Sequence, residues 1–370
     1  MIRVAHLLSG LEIGGKERAA LRLAGRGRQE GRDHQLILFD HPFRSPDLDF
    51  PPGEVPTHFI QRLPGLSLRF TCRLARLLRL LGTEVIHAHN DTALVYAAGA
   101  SILCRTMGGN VRVVATFHAW PSHPSANARR LARLASRIAD VVAVSDELRE
   151  RLLGGGWLGR CGTIWNGVDL SEFSPGGRSA AWRERLGITD GQIVLGLVAR
   201  LDPIKRHSDF VAAVRLLREQ VPAVVFVVVG QGPLREELHR STSDLPSIRW
   251  IDSVADMPGL FRSLDGLVLC SAHEAAPLVL LEAMACGVPV IASAVGGIPH
   301  LLTSPPEAPA GVLVPPLEPV ALARAIKDLA TDSDARAGYA RAALARTARF
   351  SFEHEWTSYQ ALYAGKESVA

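Results

Sequence analysis

The chain predicts an α/β fold, two doubly wound domains built on parallel sheets, on the strength of three observations. Short apolar runs alternate with helical stretches along all 370 residues. That length suits two domains at roughly 150 residues each. A polar, Gly-rich stretch, Asn166-Gly-Val-Asp-Leu-Ser-Glu-Phe-Ser-Pro-Gly-Gly, has the composition of a linker and parts the pattern into two halves. Strands that alternate with helices make parallel sheets covered on both faces. The expected domains are residues 1–170 and 171–352, facing each other across a cleft. A last helix over about 353–370 carries Phe352, Trp356 and Tyr359, which need a surface and would find it on the first domain.

In the first half the strand-like runs are Ile2–Leu8, Gln35–Phe39, Thr57–Ile60, Val85–Ala88, Val111–Thr116, Val141–Val144 and Thr163–Trp165. In the second they are Ile193–Ala199, Val224–Val229, Ile248–Ile251, Leu267–Cys270, Val288–Ala292 and Val312–Val314. Most are near-continuous Val, Ile and Leu, the mark of strands buried on both faces.

Composition narrows the class. Hydrophobic residues make up 47% of the chain and charged ones 21%, which is the balance of a globular enzyme with ample core. No apolar run reaches the roughly 18 residues of a membrane span, and the first residues lack the length and cleavage site of a signal peptide, so a cytoplasmic protein is expected. Five widely spaced cysteines (Cys72, Cys104, Cys161, Cys270, Cys286) fit neither a disulfide framework nor a thiolate zinc site and read as reduced core residues. The net charge of +4 conceals a split: through Asp169 there are 22 basic against 15 acidic residues, and afterwards 19 against 22.

The most telling segment holds Glu274 and Glu282, with seven residues between them, in Ser271-Ala-His-Glu-Ala-Ala-Pro-Leu-Val-Leu-Leu-Glu-Ala-Met-Ala-Cys-Gly. It reads as a strand end, a loop, a helix opened by Pro277 and a Gly287 stop. The helix is apolar on nearly every side, so its one charge, Glu282, should be buried and in need of a partner such as a pair of sugar hydroxyls or an Arg. Glu274 lies in the loop before it, where open α/β sheets bind ligands, and the free N–H groups of Leu278 and Val279 would face an anion such as a diphosphate.

Other patterns point elsewhere. His87-Ala-His89-Asn-Asp91 has the ligand spacing of a metal-dependent hydrolase, and His residues two apart share a strand face. No second His-rich block follows it. Gly230-Gln-Gly-Pro-Leu-Arg, with Asp252 further on, partly imitates a dinucleotide fingerprint, but Arg235 stands where the third glycine belongs. Asp47-Leu-Asp49 sits in a Pro-rich loop and reads as surface. From Leu66 to Leu81 a helix is expected with Arg69, Arg73, Arg76 and Arg79 near one stripe and Leu68, Leu74, Leu77, Leu78 and Leu81 on the rest. A second basic stripe is Arg129, Arg133 and Arg137, with Arg130 beside it. Helices of this kind bind anionic lipid surfaces at about 1 kcal/mol per basic residue. Nucleic acid is not expected as a partner, because no motif or interleaved aromatics accompany the charge.

Eight pieces in order resemble the retaining glycosyltransferases of family 4. They are Gly14-Gly-Lys-Glu, His-Ala-His-Asn at 87–90, Ala-Thr-Phe-His ending at His118, Val-Ser-Asp-Glu at 144–147, Asn166-Gly-Val-Asp, Ala-Arg-Leu-Asp-Pro-Ile-Lys ending at Lys205, Gly230-Gln-Gly-Pro-Leu, and the Glu274–Glu282 unit. The resemblance covers essentially the whole chain. It implies the GT-B fold, two Rossmann-like domains: the first binds the acceptor and the second the nucleotide sugar. It also implies that Arg200 and Lys205 hold the donor diphosphate, where they would offset charge growing on the leaving group. Glu282 would bind the ribose, Glu274 the transferred sugar, and His118 would face that sugar from the first domain. Gly15 would let the backbone approach phosphate or acceptor. The donor would also meet Ala276, Pro277, Leu278 and Val279. Its base, UDP before GDP, would lie near Gly230, Asp252, Ser253 and Val254.

No obligatory metal or other cofactor is expected. The basic helices fall in the acceptor domain, so Arg69, Arg73, Arg76, Arg129 and Arg133 are expected to face an anionic membrane. The acceptor is then a lipid-linked oligosaccharide or a polysaccharide, in bacterial cell-surface polysaccharide or lipopolysaccharide synthesis. Two features depart from the family: Ala275 and Ala276 follow Glu274 where Gly and a bulky residue are usual, and His300 stands where an acid is common. The alternative readings are a catalytically silent nucleotide-sugar-binding partner subunit and a hydrolase with a metal on His87, His89 and Asp91.

Overall fold

A computed structural model describes residues 2–11, 14–41, 55–63, 65–121, 125–221, 223–303 and 308–366. The chain forms two compact units, Met1–Trp165 with Glu355–Ala370, and Asn166–His354. Each is a parallel sheet between helices. In the first unit the strands are β1 (Val4–Leu8), β2 (His34–Leu38), β3 (Thr57–Phe59), β4 (Val85–Ala88), β5 (Arg112–Phe117), β6 (Ala139–Ala143) and β7 (Gly162–Thr163). Their order in space is β3-β2-β1-β4-β5-β6-β7. The second unit contains β8 (Ile193–Val198), β9 (Val224–Val229), β10 (Ile248–Ile251), β11 (Gly266–Leu269), β12 (Val290–Ser293) and β13 (Gly311–Val314), in the order β10-β9-β8-β11-β12-β13.

Both orders reverse direction once, between β1 and β4 and between β8 and β11. Helices leave the strands on either side of such a point to opposite faces of the sheet. A crevice then opens at the carboxyl ends of the two strands, and it is there that open α/β sheets take their ligands. The loops after β1, β4, β8 and β11 are therefore the ones the fold presents for chemistry.

Local chemistry explains where these elements begin. Ser67, Asn90 and Ser145 cap the helices Leu68–Leu80, Asp91–Thr106 and Asp146–Gly154, each side chain accepting from the N–H three residues on. The second unit's core gathers on Leu195, Phe210, Phe226, Ile291 and Ile326, all buried. β9 is buried at every residue, as expected of an apolar strand between two helical layers. Gly230, at φ +152°, lets the loop after β9 press against the loop after β8: a Cβ there would lie 2.0 Å from the Ala199 carbonyl oxygen.

Several expectations need correcting. The Gly-rich stretch after Trp165 is packed at its start: Val168 exchanges backbone hydrogen bonds with Phe350 and Phe352, and a Cβ on Gly167 would lie 2.4 Å from the Ser351 carbonyl oxygen. Cys72 is exposed, whereas the other four cysteines are buried. Leu68 is 78% exposed and stands with the arginines, because it opens its helix before the buried stripe of Phe70, Leu74 and Leu78 begins. Asp47 and Asp49 lie outside the described residues.

The last helix, Phe352–Ala364, packs its residues from Glu355 onward on the first unit. Trp356 Nε1 donates to Glu30 at 2.7 Å, buried Glu355 pairs with Arg22 at 2.7 Å, and the Arg112 guanidinium donates to the Tyr363 carbonyl at 2.8 Å.

Candidate functional site

The loops at the second unit's switch point bring together the residues marked by the Glu274–Glu282 segment. After β8 the chain runs through Arg200 and Asp202 into a short 3-10 turn, Pro203–Lys205, where the Asp202 side chain accepts from the Ile204 N–H. Arg206 then takes the left-handed conformation at φ +55°, an unusual state for a residue with a Cβ. Its guanidinium holds both carboxylate oxygens of Asp209, at 2.9 and 2.7 Å, which helps fix a costly backbone turn. Lys205 is thereby held at the edge of the loop.

After β11 the loop Ser271–Pro277 comes alongside, joined to the first loop by the Ala272 N–H donating to the Ile204 carbonyl at 2.8 Å. Across this seam the Lys205 ammonium pairs with Glu274 at 2.5 Å, and Ser271 Oγ donates to the same carboxylate oxygen at 2.7 Å. The Glu274 side chain is 10% exposed and that of Lys205 24%. The Arg200 guanidinium, about half exposed, donates to Asp202 at 2.5 Å. Partial burial acts to raise the Asp202 carboxyl, but the Ile204 N–H and Arg200 hold it below the usual carboxylate range.

Glu282 lies one turn into the helix Leu278–Ala285 and is 3% exposed. Leu278 precedes it by four residues, so the two share a helix face. No side chain caps this helix, and its first N–H groups point into the loop region that holds Glu274. Ala275 and Ala276 are buried, and the loop backbone is held by Gly297 N–H donating to Ala275 and Asn166 Nδ2 donating to Ala276 at 2.8 Å. Asn166 had no assigned role in the sequence; its place in the motif Asn-Gly-Val-Asp was the available signal.

The residues expected around a base lie after β9 and β10. Asp252 and Ser253 are exposed and border an open groove with Arg185, Arg249 and Trp250; Val254 is half-buried and does not line it. Arg235 donates twice to Asp252, at 2.8 and 2.9 Å. The residue that breaks the dinucleotide fingerprint thus anchors the loop.

In the first unit, His118 follows β5, and Gly15 opens the helix Gly15–Gln29. A Cβ on Gly15 would meet no atom within 4 Å, so the unit's own packing does not demand glycine there. His118 belongs to a chain of imidazoles. His118 Nε2 bonds His89 Nδ1 at 3.1 Å, His89 Nε2 bonds His6 Nδ1 at 3.0 Å, and His6 Nε2 bonds His34 Nδ1 at 3.0 Å. His87 stands beside it, bonded to Tyr363 OH at 2.8 Å and to Thr116 Oγ1 at 2.7 Å, and Thr116 in turn to Tyr359 at 2.8 Å.

His6, His87 and His89 bring ring nitrogens within 4.8 Å of one another, a spacing open to a cation. All six of their ring nitrogens are already engaged in the hydrogen bonds just given, so a metal would have to displace them. Asp91 is the first residue of the helix Asp91–Thr106 and is not in this cluster of ring nitrogens. Sequence reading missed His6 and His34. Each is a histidine inside a buried strand, the available signal, and His6 is in register with His87.

Two parallel sheets of this order in one chain make the GT-B fold. The chain belongs to the family 4 glycosyltransferases: it matches the family described as Glycosyltransferase Family 4 over residues 13–172 and that of Glycosyl transferases group 1 over 192–332. Among curated relatives, D-inositol 3-phosphate glycosyltransferase of Salinispora arenicola is 35% identical over 55% of this chain and 49% of its own length. The chain thus matches about half the length of such relatives. HepE of Anabaena, solved in complex with UDP, is similar in fold with a TM-score of 0.83 at 24% identity, over 98% of this chain and 100% of that one. Sucrose-phosphate synthase of Thermosynechococcus elongatus has a TM-score of 0.78 at 21% identity, over 99% of each chain.

Burial pushes the basicity of the whole histidine cluster down. Desolvation, reinforced by the charge of Lys16, takes His118 to about 3; desolvation and the charge of Arg32 take His34 to about 4; His6, His87 and His89 are also lowered by burial. The unfolded chain, with histidines near 6.5, binds more protons than the folded one below that value. The stability of the first unit is therefore complete above about pH 6.5 and lost as pH falls toward the folded values. Each histidine removes up to about 1.4 kcal/mol per pH unit over that interval. Calorimetric melting at about pH 7, 6 and 5 should show a falling transition temperature, and a transition unmoved across that range would contradict a buried neutral cluster.

Proposed function

We propose that the protein transfers a hexose-type sugar from a nucleotide-diphosphate sugar, UDP before GDP, with retention of configuration. The observation that carries this reading is the Lys205–Glu274 pair at the switch point of the second unit. A donor diphosphate beside Lys205 offers more negative charge than a single carboxylate, so the ammonium exchanges one partner for a stronger one. Glu274, released from the ammonium, accepts hydrogen bonds from hydroxyls of the transferred sugar. Arg200 can turn from Asp202 to the same diphosphate. The negative charge that grows on the departing phosphate then meets two cations already in place, an arrangement that needs little reorganisation at the moment of reaction.

The Glu274 carboxylate is occupied by sugar hydroxyls and by Ser271 Oγ, which suits positioning rather than attack on the anomeric carbon, so retention in this scheme has the acceptor enter on the face from which the phosphate leaves. The departing phosphate takes the acceptor proton. Glu282, buried one turn into its helix, binds the ribose hydroxyls. The base lies near Asp252, Ser253 and Val254, and no metal takes part. His118 contacts the sugar or the acceptor, and Gly15 admits the backbone to phosphate or acceptor.

The acceptor is a lipid-linked oligosaccharide or a polysaccharide, made in bacterial cell-surface polysaccharide or lipopolysaccharide synthesis. What supports it is the helix Leu68–Leu80, where Arg69, Arg73, Arg76 and Arg79 are exposed together with Leu68 and Leu80. Arg129, Arg130, Arg133 and Arg137 are likewise exposed. No helix among the described residues is long and apolar enough to cross a membrane. The attachment in this reading is peripheral, by the basic helices, from the cytoplasmic side. The silent-subunit alternative predicts donor binding without turnover.

Two experiments test this. Nucleotide release should occur from one member of a panel of UDP-, GDP- and ADP-sugars, given an extract of lipid-linked acceptors, and should fall by about 100-fold or more in Lys205→Ala. Tight donor binding with no release from any acceptor would favour the silent subunit, and no donor binding at all would refute the transferase reading. For the membrane, native protein should float with anionic vesicles at low salt and be released by high salt; failure to float at low salt removes the peripheral attachment.

A further inference from the structure

The hydrogen-bonded row His118, His89, His6 and His34 has a property that none of its members has alone. Four neutral imidazoles carry four ring protons, and the three bonds between them each take one. If His118 gives its proton to the bond with His89, then His89 must carry its own on the far nitrogen, and so on to His34. If His118 keeps its proton on Nδ1, every proton in the row sits on the opposite nitrogen. Two arrangements exist and no intermediate one satisfies all three bonds. The tautomer of His118 is therefore tied to that of His34 through His89 and His6.

The end groups choose between the two. His118 Nδ1 is buried with no hydrogen-bond partner among the described residues. Placing a proton there would leave an orphaned buried N–H, a rarer and costlier state than an unused lone pair. This favours the arrangement in which His118 donates from Nε2 and keeps Nδ1 bare.

We propose that His89, His6 and His34 are positioning residues that hold His118 as the Nε2–H tautomer. The Nδ1 lone pair is then left to accept a hydrogen bond from a hydroxyl of the transferred sugar or the acceptor. The tautomeric lock stands on the hydrogen bonds alone; the identity of the hydroxyl rests on the transferase reading above. His118 follows β5 at the carboxyl end of the first unit's sheet, the end at which open α/β sheets take their ligands. His34, in β2, is 1% exposed, and its influence on a ligand would pass through two intervening rings.

The test reads ring-nitrogen ¹⁵N shifts of histidine in the full-length protein, without substrate, with the His118 signals assigned by their loss in His118→Asn. Bare and protonated ring nitrogens are well separated in such spectra. The expected result for the native protein is a bare Nδ1 and a protonated Nε2 on His118. In His34→Phe the row loses its terminal acceptor, so the native arrangement strands an N–H on His6 as the opposite one strands it on His118, and the single tautomer of His118 should give way to a mixture of Nε2–H and Nδ1–H. His6→Leu should give the same mixture, whereas His6→Gln, whose amide can donate on one side and accept on the other, should preserve the native tautomer. A native His118 protonated on Nδ1, or a tautomer that stays the same in His34→Phe and His6→Leu, overturns the proposal. Should one of these two fail to fold, the other decides against His6→Gln. Because the spectra need no donor or acceptor, a failed lock and a failed transferase reading are told apart: the first shows here, the second in the nucleotide-release assay.

Discussion

A carboxylate held inside a protein needs a counter-charge or a set of donors, and in the second unit Glu274 has both: the Lys205 ammonium and the Ser271 hydroxyl. Removing one partner of a fully buried pair costs about 3–5 kcal/mol, and less here because Lys205 is partly exposed to water. The neighbouring structure serves this contact. Asp202 and Arg206 shape the turn that holds Lys205, the Ala272 to Ile204 hydrogen bond sets the distance between the two loops, and Asn166 and Gly297 hold the backbone just after Glu274. A site already charged and already ordered gives up little freedom when a ligand replaces one half of the pair.

The same economy explains why the loops after β8 and β11 are the ones so equipped. A parallel sheet whose order reverses once leaves a crevice at one place, and side chains on the two flanking loops can meet there. The close approach that Gly230 allows and the Arg235–Asp252 pair hold the loops after β9 and β10, next along the sheet. In the first unit the corresponding loops carry Gly14, Gly15 and Lys16 after β1 and His89 after β4. There an ion pair, Lys16 with Glu17 at 3.0 Å, stands with a row of imidazoles that burial keeps uncharged.

Much of the fold was legible because apolar runs in buried parallel strands are long and unambiguous: each of the thirteen strands among the described residues lies at or within a few residues of an expected run. The burial of Glu282 was legible too, since a single charge in Leu-Val-Leu-Leu-Glu-Ala-Met-Ala has nowhere exposed to go. Contacts between distant residues were not. That Lys205 and Glu274 meet depends on strand order, which places β8 beside β11 with two strands intervening in sequence. His6 and His34 went unremarked for the same reason, being isolated histidines until the sheet sets them beside His87 and His89. Leu68 misled because a helical stripe was read without its first turn, which protrudes.

The most direct measurement is a structure of the protein with the proposed nucleotide-sugar donor bound. The account predicts that Lys205 Nζ leaves Glu274 for a phosphate oxygen and that the Glu274 carboxylate accepts hydrogen bonds from sugar hydroxyls, with Ser271 still donating to it. A donor seated elsewhere while the Lys205–Glu274 pair stays closed would contradict it.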